Sequence, residues 1–224
     1  MVSSSSSYGV TILPKNFATD TWWGNASWEE FIELAENPAY VDGRFYYHHG
    51  LIRIEMSPLG PRHGRQNSII SKAVSLFATI KNIRIVEFAN TSFRDAGVGE
   101  FQPDLAFYIG SGLRVPPQLD TPIDLREFDP PTLVVEIGGS AASDDFGRKR
   151  LMYEESGVQE YWVDDLGVGE VVAFAIADGR SGRIRESKVL PGLPIALVEE
   201  ALKRSQKEDD SKINLWLLKT FSHI

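Results

Sequence analysis

The sequence predicts an α/β or α+β fold in which one mixed sheet is flanked by helices. Apolar residues recur at helical spacing between about Arg62 and Ile80, which predicts a long helix. The run from Thr132 to Ile137 is almost uniformly apolar, which is typical of a central strand covered on both faces. A strand, a helix and a strand follow one another across residues 132–164, which indicates a crossover between parallel strands. Together these patterns predict a layered α/β domain.

A short helix and a hairpin are predicted before the long helix. Ser27 is followed three residues later by Glu30, and this capping box predicts a helix that ends before Pro38. Residues 45–56 alternate loosely between apolar and polar, which predicts a hairpin that turns near Gly50.

The remainder of the chain is predicted to contain mostly strands, with one further helix in the middle. That helix covers residues 144–156, and Gly157 fits the position just after its end. Residues 110–131 are rich in proline and predict a long loop, while Leu193 to Leu202 indicates a terminal strand and helix. The predicted strands are residues 83–88, 92–94, 104–109, 132–137, 160–164, 168–176 and 183–189.

Length and composition bound the class of protein. With 224 residues and 42% hydrophobic content, one globular domain is expected over residues 21–224, behind a disordered or extended tail at residues 1–20. The absence of cysteine excludes disulfides and thiolate metal sites. No stretch approaches the roughly 20 apolar residues that span a bilayer, so we expect no membrane partner and a cytoplasmic location.

The charge pattern is acidic overall with local basic groups. The formal net charge of −8 counts mildly against nucleic acid as a partner, because Lys and Arg drive phosphate binding. A basic rim can still lie on an acidic protein, and basic residues occur at Arg62, Arg65 and Arg148–Arg150. Arg62, Arg65 and the neighbouring His63 are therefore candidates for substrate phosphate. The alternatives are a solvated surface and, for His63, a neutral structural role.

Two acidic residues lie in apolar runs, where an unpaired carboxylate is costly. Asp104 opens the run Leu105–Ile109, and Glu136 ends the run Leu133–Val135. A buried carboxylate costs several kcal/mol unless it is paired or holds a metal. Because side chains alternate along strands, both carboxylates can point into one crevice if the strands are neighbours, where they would suit Mg²⁺ or Mn²⁺. Asp104 could instead be a turn residue, whereas Glu136 is difficult to explain without a partner.

The helix after the strand of Glu136 carries a third candidate, Lys149. Asp145 precedes it by four positions and Tyr153 follows it by four, so these side chains share one helix face. Near a metal, the lysine could position the attacking water or offset charge on the phosphorus, with Asp145 orienting it and Tyr153 near the substrate. A plain ion pair with Lys149, or an ordinary helix N-terminal role, are the alternatives for Asp145.

A set of segments spread over most of the chain matches one family pattern. They are Gln102–Ala106, Leu133–Ile137, Asp145–Lys149, Tyr153 and Gly157–Asp164, with His49–Pro58 and His63–Gly64 upstream and Leu190–Leu193 downstream. In combination they resemble the Uma family, a cyanobacteria-rich group of predicted restriction endonucleases in the PD-(D/E)xK nuclease superfamily. The run from Glu136 to Asp164 is the most specific part of the likeness.

The resemblance implies a restriction-endonuclease-like core, with a mixed central sheet flanked by helices. It implies Mg²⁺ held by Asp104 and Glu136, with the carbonyl of Ile137 as a further ligand. The superfamily's usual lysine lies two residues after the glutamate, where this chain has Gly138. The family pattern moves the lysine to the next helix, which matches Lys149. The turn that begins at Gly138 also departs from the family's usual Ser-Pro-Ser and is one residue shorter.

The leading prediction is a Mg²⁺-dependent DNA endonuclease whose catalytic residues are Asp104, Glu136, Lys149 and Asp145. DNA is the implied partner, and a homodimer follows by analogy because cutting both strands usually requires two active sites. One alternative is a nuclease-fold module that binds DNA or protein without cutting. Another is a metal hydrolase for a different phosphorylated substrate. No HExxH, GxGxxG, GxxxxGK[ST] or GxSxG pattern occurs, so the enzyme classes that use them are not indicated.

Overall fold

The structure, a computed structural model, describes residues 23–56, 59–138, 144–166 and 168–224. Its helices are α1 (Trp28–Ala35), α2 (Pro61–Ile80), α3 (Arg150–Glu155), α4 (Ile195–Ser205) and α5 (Asp210–Phe221), with a 3₁₀ turn at Pro38–Tyr40 and a π-helical turn at Asp145–Lys149 that leads into α3. Its strands are β1 (Gly24–Asn25), β2 (Arg44–His48), β3 (Leu51–Glu55), β4 (Ile85–Ala89), β5 (Phe93–Asp95), β6 (Gly99–Phe101), β7 (Leu105–Ile109), β8 (Ile123–Asp124), β9 (Leu133–Gly138), β10 (Glu160–Asp165), β11 (Glu170–Ala177) and β12 (Arg180–Ile184).

A six-stranded mixed sheet lies at the centre of the fold, in the order β12-β11-β10-β9-β7-β4. β9 and β10 pair in parallel, in agreement with the predicted crossover, and the other neighbours pair antiparallel. β9 is buried along its whole length, which explains why its sequence is apolar on both faces. The predicted fold class, a mixed central sheet flanked by helices, is confirmed.

A second six-stranded sheet, in the order β1-β3-β2-β6-β5-β8, extends the predicted architecture. The sequence indicated one sheet because several of these strands are too short to have a periodicity. β1 and β8 have two residues each and β6 has three. β8 also lies inside the proline-rich stretch 110–131, where the sequence predicted only a loop. The β2–β3 hairpin supplies the two longest strands of this sheet.

The central sheet separates two apolar layers. Helices α2, α4 and α5 pack on one face, where Phe77 and Trp162 belong to a single buried cluster. The second sheet and α3 cover the other face, where Tyr153 and Val134 are buried together. Because side chains alternate along β9, Glu136 points to the same side as Val134, into the layer between the two sheets.

The edge strand predicted over residues 183–189 is wrong in its bounds, since β12 ends at Ile184. Beyond that residue the backbone finds a different partner. The amides of Lys188 and Val189 donate to the carboxylate of the buried Glu160, at 2.8 and 3.2 Å, so they are satisfied without a strand ladder. Residues 185–189 therefore form a loop rather than the second half of the predicted strand.

Among the other local predictions, some are confirmed, one is wrong and some lie outside the described residues. The capping box at Ser27 and the hairpin turn near Gly50 are confirmed. The strand predicted at the start of Leu193–Leu202 is wrong, because Pro194 forms an isolated bridge with Glu186 and is already the N-cap of α4. The predicted tail at residues 1–20 lies outside the described residues, as does the turn segment 139–143, and the single domain stays a prediction. Within the described ranges, no helix has the length and apolar character needed to cross a membrane.

Candidate active site

The two carboxylates singled out by the sequence lie side by side, where β7 begins and β9 ends. β7 and β9 pair antiparallel with Ala106 opposite Val134. Asp104 and Glu136 are each two residues beyond that pair in the same direction, so they extend the same face of the sheet. Both residues are buried, with exposed fractions of 0% and 1%. Their neighbours include Arg44 and Tyr46 of β2.

Asp104 is held by three donors. Its Oδ1 accepts hydrogen bonds from Nη1 of Arg44 at 2.6 Å and from Nε2 of His63 at 3.0 Å, and its Oδ2 accepts one from the backbone amide of Ile137 at 2.7 Å. Burial alone would raise the pKa of Asp104, but the hydrogen bond from His63 and the charge of Arg44 outweigh burial and lower it. Asp104 is therefore an ionised carboxylate at neutral pH.

Glu136 lies against two tyrosines and a lysine. The hydroxyls of Tyr153 and Tyr46 donate to its Oε1 at 2.7 and 3.3 Å, and Nζ of Lys149 lies 3.5 Å from the same oxygen. Burial raises the pKa of Glu136 to about 8; the charge of Lys149 opposes the shift, and that of Asp104 adds to it. Glu136 is therefore not fully ionised at neutral pH, because the nearby positive charge does not outweigh burial.

Lys149 connects the acidic residues of the site. Only 2% of its side chain is exposed, and its Nζ lies 3.0 Å from Glu55, 3.2 Å from Asp145 and 3.5 Å from Glu136. It also lies 4.0 Å from the ring centroid of Tyr46, a cation–π distance. Burial would lower the pKa of Lys149, but the surrounding acids outweigh burial and raise it, so the ammonium stays charged. The predicted i,i+4 pair with Asp145 is thus one part of a larger network.

The β2–β3 hairpin brings charged residues that the sequence analysis missed. Arg44 and Glu55 are opposite one another across the hairpin and pair at 2.8 Å, and Arg53 donates to Glu55 at 2.9 Å. Burial would raise the pKa of Glu55, but Lys149 and Arg44 lower it to about 2. The signal was available in Ile52-Arg53-Ile54-Glu55, where charged residues alternate with isoleucines on a buried hairpin.

The predicted substrate-binding residues occupy varied environments. His63 contacts Asp104, whereas Arg62 donates to the carbonyl of Leu166 at 2.6 Å. Arg65 is paired with Asp210 and also donates to a backbone carbonyl of the α4–α5 connection. Tyr153 is fully buried beneath Glu136. Substrate contact by these four residues stays a prediction, and so does a metal bond from the carbonyl of Ile137.

This geometry can be compared with known proteins. The model of a family described as "Uma2: Putative restriction endonuclease" matches residues 28–210. The chain belongs to the Uma2 family. The matched span includes every residue of the site described above. No curated protein matches the chain.

One solved relative in fold is a protein from Anabaena variabilis, described as "a putative nuclease belonging to DUF820". It has 19% sequence identity and a TM-score of 0.53, and the match covers 79% of this chain and 98% of that one. At this identity the match concerns the fold alone. Uma2 membership and this fold together indicate a nuclease.

The donor set of this Uma2 protein fits a divalent cation that prefers oxygen. In the described part of the chain, five carboxylates share the network with three permanent cations; the acids are Glu55, Asp104, Glu136, Asp144 and Asp145, and the cations are Arg44, Arg53 and Lys149. With every acid ionised, the network would carry two negative charges in excess, which match the charge of Mg²⁺ or Mn²⁺. Burial is the main cause that raises the pKa of Asp145 and of Glu136, and the charge of Asp104 adds to both shifts, as expected where acids outnumber cations.

A further buried carboxylate, Asp164, lies at the end of β10. Its exposed fraction is 0%, and neither carboxylate oxygen has a hydrogen-bond partner among the described residues. Asp164 on β10 is paired with Ile137 on the neighbouring β9, so both side chains point to the same face of the sheet. That face is covered by the helices, whereas Glu136 points to the other face. Burial raises its pKa to about 7, opposed by the charge of Arg62. The signal in the sequence was an acid directly after the apolar run Tyr161–Val163.

Replacing Asp164 with asparagine is expected to remove a pH-dependent loss of stability. Between the ordinary pKa of 3.8 and the folded value of about 7, the folded protein keeps a proton that the unfolded chain releases. The free energy of unfolding of the wild type therefore falls as pH rises through this window, by roughly 4 kcal/mol at most. Urea unfolding at about pH 5 and about pH 8 measures the difference.

Asp178→Asn is the matched control, because Asp178 is exposed at the turn after β11. We expect the stability of this variant to follow the wild type at both pH values. Asp164→Asn should instead gain stability relative to the wild type on going from the lower to the higher pH. If the free energy of unfolding changed equally between the two pH values in all three proteins, Asp164 would not titrate in this window.

Proposed function

We propose that this protein is a metal-dependent endonuclease that hydrolyses phosphodiester bonds of DNA, with Mg²⁺ or Mn²⁺ as its cofactor. The observation that carries the proposal is the meeting of Asp104, Glu136 and Lys149 in one buried network with excess negative charge. Uma2 membership supports the same reaction class. A buried group of acids costs stability, and a bound dication would offset that cost.

Asp104 and Glu136 would hold the metal, and the carbonyl of Ile137 would add a neutral oxygen ligand. When bound, the ion would polarise a phosphate oxygen and lower the pKa of water near the scissile bond. The protein orients its ligands through neighbouring groups. The amide of Ile137 and the side chains of His63 and Arg44 fix Asp104, while the Tyr153 hydroxyl fixes Glu136.

Lys149 would supply positive charge beside the reacting phosphate. Its ammonium is 3.5 Å from Glu136, so it lies next to a proposed metal ligand. Such a group can orient the attacking water and offset the negative charge that develops on the phosphorus. Asp145, at 3.2 Å, would hold the ammonium in place.

DNA would approach from the side of α2. His63, Arg62 and Arg65 lie on the first turns of that helix, and Tyr153 lies behind Glu136. The pairing of Arg65 with Asp210 implies that DNA must compete with a carboxylate for this side chain. We further propose a cytoplasmic location, and a homodimer for double-strand cleavage, since each chain would supply one active site.

Cleavage of supercoiled plasmid in Mg²⁺ or Mn²⁺ tests the proposal. The wild type is expected to nick or linearise the plasmid only when a divalent ion is present. Glu136→Gln keeps the shape of the side chain but cannot lose a proton to become a metal-binding carboxylate, so we expect the rate to fall by at least about 100-fold. Gel electrophoresis over time gives both rates.

Glu87→Gln is the control, because Glu87 is also a glutamate in the central sheet, on β4, where it accepts hydrogen bonds from Ser71 and Ser75. Its cleavage rate should equal that of the wild type. Equal rates for the wild type and Glu136→Gln would contradict the site assignment. Binding of DNA by a wild type that never cleaves, with either ion, would favour the non-catalytic binding module.

A further inference from the structure

A second cluster of ligating side chains lies away from the proposed active site, at the tip of the β2–β3 hairpin. Nε2 of His48 is 3.1 Å from Oε2 of Glu155, and Nε2 of His49 is 2.5 Å from the same oxygen. One ligand atom from each of the three residues lies within 4.8 Å of the others. The cluster therefore brings two imidazoles and a carboxylate to a single point.

The backbone holds the two imidazoles side by side. His49 and Gly50 have φ values of 50° and 76°, so the hairpin turns in the left-handed region. A histidine in that region is uncommon, and here the turn brings its ring centroid to 4.3 Å from that of His48. Successive residues of a strand normally point to opposite faces, so this convergence depends on the turn.

The surroundings leave room for further ligands. The side chains of His49 and Glu155 are 60% and 55% exposed, whereas that of His48 is 9% exposed. A cavity of about 140 Å³ borders His48 and Glu155, and Asp95 also lines it. Because the side chains of His49 and Glu155 are exposed to solvent, an ion at this point could keep water in its remaining coordination positions.

We propose that His48, His49 and Glu155 form a binding site for a borderline-soft transition-metal dication, best matched by Zn²⁺. Two imidazole nitrogens and one carboxylate oxygen are a set that zinc accepts, with water completing the coordination. Ligand atoms at about 2.0–2.1 Å from a tetrahedral zinc are roughly 3.3 Å from one another. The separation of 3.1 Å between His48 and Glu155 is close to that distance, and the exposed His49 would move outward from its contact with Glu155 at 2.5 Å to admit the ion.

The ion would join two elements that carry parts of the active site. His48 ends β2, the strand of Arg44 and Tyr46, and His49 follows it in the hairpin turn, while Glu155 ends α3, which begins directly after Lys149. A zinc bridge would fix the hairpin relative to this helix. The site is separate from the acidic network, whose carboxylates favour hard ions instead.

Zinc titration of the full chain in excess Mg²⁺ tests the proposal, because Mg²⁺ occupies oxygen sites but binds imidazole poorly. We expect about one Zn²⁺ per chain by calorimetry, and a rise in Tm when zinc is present. Affinity should fall at least about 10-fold in His49→Ala and in Glu155→Gln. Both residues are largely exposed, so neither change should prevent folding.

His223→Ala is the control, since His223 lies near the C-terminus and contacts the carbonyl of Lys219. Its zinc affinity should match that of the wild type. Co²⁺ gives an independent readout, because visible absorption bands of low-coordinate cobalt with nitrogen ligands should appear in the wild type and vanish in His49→Ala. Absence of zinc binding, or equal affinity in His49→Ala and the wild type, would overturn the proposal and leave a hydrogen-bonded ion pair.

Discussion

Replacing Asp104 with asparagine is expected to remove divalent-metal binding from the active site and with it DNA cleavage. Asp104 is ionised, and its oxygens receive hydrogen bonds from Arg44, His63 and the amide of Ile137. Asparagine lacks the charge, and its amide group would point an N–H at one of these donors. We expect metal affinity to fall by at least about 100-fold. The cleavage rate should fall on the order of 1000-fold.

The same change should also reduce stability. Arg44 would keep Glu55 as a partner at 2.8 Å but lose its contact with Asp104 at 2.6 Å. Breaking one side of a buried ion pair costs roughly 3 kcal/mol or more. Urea unfolding measures this cost, and calorimetric titration with Mn²⁺ measures the lost affinity.

Asp120→Asn is a suitable control, because Asp120 is exposed in the long loop before β8. It should leave metal affinity, cleavage and stability unchanged. Should Asp104→Asn fold normally and still bind Mn²⁺ with wild-type affinity, the metal would lie elsewhere, and Asp104 would be a structural partner of Arg44.

Replacing Lys149 with methionine is expected to separate metal binding from catalysis. Methionine has a similar length but no charge, so Glu55, Glu136 and Asp145 would lose the cation they share. A bound dication would no longer be repelled by the ammonium, which should keep or strengthen metal binding. Cleavage should nevertheless fall by about 100- to 1000-fold, because no ammonium remains to offset charge on the phosphorus. Parallel assays of Mn²⁺ affinity and plasmid cleavage test this divergence.

Stability provides a further part of this prediction. Without metal, the variant leaves buried acids uncompensated and should lose roughly 3–5 kcal/mol. Saturating Mg²⁺ should restore part of that loss, since the ion replaces the missing positive charge. Lys203→Met, at an exposed position of α4, is the control and should show neither effect. If cleavage persists in Lys149→Met once metal restores stability, the lysine is structural only.

Local pattern was sufficient for much of the fold. The apolar run of β9, the helical spacing of α2 and the capping box at Ser27 each follow from the environment of a single element. The bounds of β12 could not be predicted from local pattern, because the amides of Lys188 and Val189 beyond its end donate to Glu160, which is distant in the sequence. The second sheet was missed since its short strands are stabilised by their neighbours rather than by a periodic sequence.

The same distinction applies to the site. Glu136 and Asp104 stood out because a charge inside an apolar run needs a partner, whatever that partner is. Arg53 and Glu55 carried a similar signal in the hairpin. The identity of each partner could not be read from the sequence, since Arg44 and Asp104 are separated by 60 positions.

The sequence by itself determined that Asp104 and Glu136 need a partner, and which strands carry them. Only the tertiary structure decided that Arg44, Lys149 and Glu55 belong to one network with the two predicted carboxylates. The physical reason is the distance along the chain between the residues that interact. Burial of a residue is encoded by its immediate neighbours, whereas the pairing of charges depends on how β2, β9 and the helix of Lys149 pack together.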